Sequence, residues 1–93
     1  MIAEIQCLPT PAGTADNPHG HVEAAIAVIQ NSGLHYEVGP LGTTLEGDAD
    51  AVWATVRAAH EAGLAAGADS VLSAVKFADV GSMSMERLTR KFR

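Results

Sequence analysis

The stretch from Gly33 to Asp50, GLHYEVGPLGTTLEGDAD, decides the fold. Leu34, Tyr36 and Val38 alternate with His35 and Glu37, the period-two pattern of a strand with one covered face. After a Gly39-Pro40-Leu41-Gly42 turn the pattern resumes, with Thr43 and Leu45 on one face and Thr44 and Glu46 on the other. Pro40 has no ladder donor, and glycines on either side tolerate tight backbone, so residues 39–42 read as a hairpin loop. Gly47 ends the second strand, and Asp48 or Asp50 is placed to cap a following helix.

Working outward, residues 2–8 set Ala3, Ile5 and Cys7 against Ile2, Glu4 and Gln6, which predicts a first strand stopped by Pro9. A loop of turn formers, TPAGTADN, follows, and Asn17-Pro18 reads as an N-cap with proline at the first helical position. Val22, Ala25, Ile26 and Ile29 then mark an amphipathic helix ended by Gly33. A second helix over about 49–66 presents Val52, Trp53, Val56, Ala59, Gly63 and Leu64 on its apolar face, pairs Arg57 with Glu61 outside, and ends at Gly67. Gly63 inside it implies close packing, because glycine weakens a helix. Val71, Ser73, Val75 and Phe77 alternate as a last strand, and Met85 to Phe92 reads as a short terminal helix.

The order βαββαβ gives an α+β sandwich of ferredoxin-like plan: a four-stranded antiparallel sheet with two helices on one face. We expect one domain over residues 1–93, with a core of 1–79 and a C-terminal loop and helix in 80–93. The first and third strands should be central neighbours, so the uncovered face brings together Glu4, Gln6, Thr44 and Glu46, with Glu37 and Lys76 beside them. Such a face is either a solvated polar surface, common in antiparallel sheets, or a hydrogen-bonding platform for a polar or cationic small molecule. Three carboxylates against one lysine repel unless something positive relieves them.

The bulk properties narrow the classes. Hydrophobic residues make up 47% and charged residues 18%, a globular composition, and the net charge of −5 argues against a nucleic-acid surface. One cysteine, Cys7, cannot form an internal disulfide and fits a reducing compartment; its inward phase favours an inert buried thiol. The opening residues suggest neither signal peptide nor membrane span, so a cytoplasmic location is expected. His19, His21 and His60 complete no metal-ligand spacing, so no metal is expected, and His60 beside Val56 and Leu64 reads as a packed structural histidine. Two weakly protected edge strands predict a homodimer or tetramer.

The runs SGLHYEVGPLGTTLEGDADAVW, VRAAHEAGLAAGADSV and MIAEIQCLP resemble the thiamine-binding protein family of small ferredoxin-like domains. The resemblance spans roughly residues 1–77 and rests on Tyr36, Val38, Pro40, Gly42, Thr43, Leu45, Glu46 and Gly47 together with His60-Glu61. It implies a cytoplasmic, oligomeric, non-catalytic binder of thiamine or its aminopyrimidine half, needing no cofactor. Combined with the strand alternation, it makes Glu4, Gln6, Thr43, Thr44 and Glu46 the candidate ligand residues. The chain departs from the family pattern at Ser70, often basic in relatives, and at Ala78 to Ser82, which replaces an acidic and Arg-rich stretch. The alternatives are a regulatory domain whose oligomer contacts respond to a metabolite, and a small isomerase using His60 or Glu46 as base. No nucleophile, base and orienting partner can be assembled for the latter.

Overall fold

The computed structural model describes residues 1–93. Its elements are β1 (Ile2–Thr10), α1 (Gly20–Gln30), β2 (His35–Val38), β3 (Thr43–Glu46), α2 (Ala49–Ala65), β4 (Ser70–Ala78) and α3 (Met85–Thr89), with a 3-10 turn at Arg90–Phe92. The sheet order is β2-β3-β1-β4, antiparallel throughout. This is the expected ferredoxin-like arrangement, with β1 and β3 central. No helix is long and apolar enough to cross a membrane.

One face of the sheet and the two long helices form the core. Ala3, Ile5 and Leu45 from the central strands meet Ala25 and Ile29 of α1 and Val52, Val56 and Ala59 of α2. Gly63 is close-packed as its place in the helix implies: a Cβ there would stand 2.9 Å from a methyl of Val71 and 3.6 Å from the Pro9 ring. Asp48 is the residue that caps α2, accepting the Ala51 N–H at 3.1 Å, and Gly67 takes the left-handed conformation at φ 120°. The expected Arg57–Glu61 pair forms at 2.7 Å.

Four boundaries and placements differ from the sequence reading. Pro9 does not stop β1, which pairs with β4 through Pro9↔Val71 and Thr10↔Ser70. β3 accompanies β1 only as far as Ile5, so Pro9 lies where one flank of β1 has no ladder to interrupt. Asn17 does not cap α1, because the Asn17 carbonyl is engaged by the Thr14 and Gly20 N–H groups in a loop turn; the helix starts at Gly20, after His19, without a side-chain cap. Leu34 precedes β2 rather than opening it. Trp53 and Leu64, assigned to the apolar face of α2, are half exposed instead. Trp53 stacks on Phe77 at 3.9 Å between ring centroids along the free edge formed by β4.

Candidate functional site

The register sorts the sequence-derived site residues onto two surfaces. On the open face, His35, Glu46, Ile2 and Ala78 form one cross-strand row, and Glu37, Thr44, Glu4 and Lys76 form the next. Glu4, Thr44 and Glu46 are therefore brought together as the alternation required. Further along, Gln6 lies opposite Ala74, and Leu8 opposite Leu72. Thr43 sits on the other side of the sheet, buried at 4% exposure in a row with Val38, Ile5 and Val75.

Each open-face carboxylate already has a partner within the chain. Lys76 Nζ lies 3.6 Å from Glu4 Oε1, and Arg93 from the far C-terminus pairs with Glu37. The Met85 N–H, at the start of α3, donates to Glu46 Oε2 at 2.9 Å. The repulsion anticipated from three acids and one lysine is thus relieved by the C-terminal segment, which the strand alternation alone does not bring to this face. A shallow cleft of about 370 Å³ remains beside the hairpin loop, lined in part by Glu4, Glu37, Thr44 and Arg93.

The helix side holds a different opening. A cavity of about 300 Å³ lies between α1 and the sheet, where the end of β1, the start of β3 and the 39–42 loop meet. Ile5, Val22, Ile26, Ile29 and Leu41 give it apolar walls, Thr43 and Cys7 supply polar atoms, and the β1 residues Gln6 and Leu8, whose strand phase is that of the open face, border it as well. Small residues create the space: Ala25 and Ala59 on the helices and Gly39 and Gly42 in the loop all border it. Gly42 leaves little room for a side chain, since a Cβ would sit 3.0 Å from the Ile5 carbonyl oxygen. Burial pushes the Cys7 thiol above its ordinary range, partly offset by the Ser73 hydroxyl, so it stays neutral and weakly reactive. Few polar groups in an apolar concavity is the usual build of a small-molecule site.

The histidines have structural partners. His60 Nδ1 is 2.6 Å from the Ser73 hydroxyl, tying α2 to β4. His21, absent from the sequence-derived core, is buried and holds the Pro11 carbonyl through Nδ1 at 2.7 Å. The signal for it was available, since His21, Ala25 and Ile29 recur at i, i+4, i+8 and form the innermost stripe of α1.

The whole sandwich recurs in known proteins. A family model described as thiamine-binding protein matches residues 3–92. The chain belongs to the thiamine-binding protein family. Among relatives, a UPF0045 protein of Methanothermobacter thermautotrophicus is 38% identical over 71 residues, covering 74% of this chain and 72% of that one. A UPF0045 protein of Clostridium perfringens is 34% identical over 73 residues, covering 77% of each. A Bacillus cereus structure of a domain of unknown function, DUF77, superposes with a TM-score of 0.82 at 30% identity, covering 100% of this chain and 91% of that one. The same fold occurs in a Thermotoga maritima protein provisionally described as acting in thiamine biosynthesis or salvage, with a TM-score of 0.77, 23% identity and full coverage of both chains. This thiamine-binding family member therefore places its hairpin motif, Pro40-Leu41-Gly42-Thr43, at the wall of its apolar cavity.

Proposed function

We propose that this protein binds thiamine or its aminopyrimidine half without turning it over, and that the ring enters the cavity between α1 and the sheet. The observation that carries this reading is the apolar cavity with the buried Thr43 at its wall, in a chain of the thiamine-binding family. A flat aminopyrimidine is apolar on its faces and polar at its edge, where an amine donor and ring-nitrogen acceptors lie. The Thr43 hydroxyl can both donate and accept, so it suits that edge, while Val22, Ile26 and Ile29 suit the faces. Glu4 and Thr44, which line the cleft on the open face, and Glu46 in the adjacent cross-strand row belong to a second reading, in which the two carboxylates take the amine or the positive thiazolium. The first reading is preferred because the open-face acids are already paired.

Calorimetry separates the two. Loss of one neutral hydrogen bond should make Thr43→Val bind thiamine about three- to tenfold more weakly, with Glu46→Ala unchanged. Weakening by about tenfold or more in Glu46→Ala alone would move the site to the open face. Absence of binding to thiamine and to the free pyrimidine would remove the function itself. In this reading the protein works in the cytoplasm as a homodimer or tetramer. The nine-residue edge strand β4 and the half-exposed Trp53–Phe77 stack beside it support self-association. A monomer by light scattering at micromolar concentration would contradict that assembly.

A further inference from the structure

Charge is divided very unevenly along this chain. Residues 1–79 carry ten carboxylates against two cations, whereas residues 80–93 carry four cations against one carboxylate. The basic segment folds back on the acidic body and meets it at two of the open-face acids, Glu37 through Arg93 and Glu46 through the Met85 N–H. Its other side-chain hydrogen bonds are internal: Ser84 caps α3 at the Arg87 N–H, Thr89 Oγ1 donates to the Met85 carbonyl, and Arg90 pairs with Glu86.

Apolar burial contributes little to this docking. Met85 is the one apolar anchor, buried at 7% exposure outside the main core cluster, whereas Met83, Leu88 and Phe92 stand exposed. The connection is built to turn. Gly81 adopts φ 61° with nothing within 4 Å of its would-be Cβ, so no packing fixes the chain there.

We propose that residues 80–93 form a detachable strap, held over the β2–β3 end of the open face by charge and lifted as a unit while the α/β body stays folded. Closed, the strap occupies the Glu46 carboxylate and neutralises Glu37. Any cation or second sheet approaching those acids competes with the chain's own basic terminus. Exposed ion pairs are weak and screened by salt, so ionic strength sets how often the strap is open.

Amide hydrogen exchange on the full chain tests this, with α2 as the internal reference. Raising salt from about 10 mM to about 500 mM should speed exchange of residues 85–92 about three- to tenfold with α2 unchanged. Glu37→Gln should reproduce that acceleration at low salt and lose most of the salt response. Glu61→Gln, which breaks a pair on α2, should leave the strap as in the wild type. Three results would overturn the proposal: a strap that exchanges in step with α2, one already unprotected at low salt, or one indifferent to salt and to Glu37→Gln.

Discussion

Thr43 and Thr44 are neighbours in sequence and belong to different surfaces of the molecule. Thr43 faces the helices, beside a cavity walled by aliphatic side chains, whereas Thr44 lies on the open face between Glu37 and Glu4. The period of a strand makes this separation unavoidable. It teaches that the two faces answer different physical demands. The helix side is decided by packing, and its polar groups are few and near an opening. The open side is decided by charge, and its acids are satisfied by Lys76, Arg93 and a backbone N–H from α3.

The sharpest way to break the comparison is to truncate adjacent residues. Leu45 is fully buried and Thr44 is not, so Leu45→Ala should cost about 2–5 kcal/mol in urea unfolding and Thr44→Ala within about 0.5 kcal/mol. Equal losses would mean that the open face is packed in solution. Gly63→Leu should follow, destabilising by about 1–3 kcal/mol through overpacking against Val71 and Pro9 despite a better helix propensity. A melting temperature unchanged by that substitution would show that α2 does not press on the sheet there.

The smallest effect concerns Cys7. Its thiol is raised by burial, so folding favours the neutral form; that stability is intact below the unfolded value and fades as pH rises toward the folded one. Between about pH 8 and 10 the wild type should therefore lose slightly more stability than Cys7→Ser. Parallel pH profiles for the two proteins would mean that Cys7 is open to solvent.

The strands, their order and the helix-facing residues of the central pair were legible in the sequence, because alternation and glycine-bounded turns are local signals. Glu4, Thr44 and Glu46 could be grouped for the same reason: once the strand order is known, register follows from the pattern. The cavity was not legible. It exists because Ala25, Ala59 and Gly42, distant in sequence, leave space at one end of the sandwich, and periodicity reports which side chains point inward without reporting whether they fill the volume. The partners of the open-face acids were missed because Arg93 reaches Glu37 across 56 residues, through a segment whose docking no local pattern encodes. Trp53 was misplaced because it occupies the flank of α2, where hydrophobic spacing alone does not separate core from free edge.

The central claim is that the ligand enters on the helix side of the sheet. Methyl NMR during a thiamine titration tests it directly, since the two faces carry separate reporters. The account predicts saturable shifts at Val22, Ile26 and Ile29, which border the cavity, with Ile2 and the Thr44 methyl on the open face unmoved. Shifts confined to Ile2 and Thr44, with the cavity methyls silent, would contradict it.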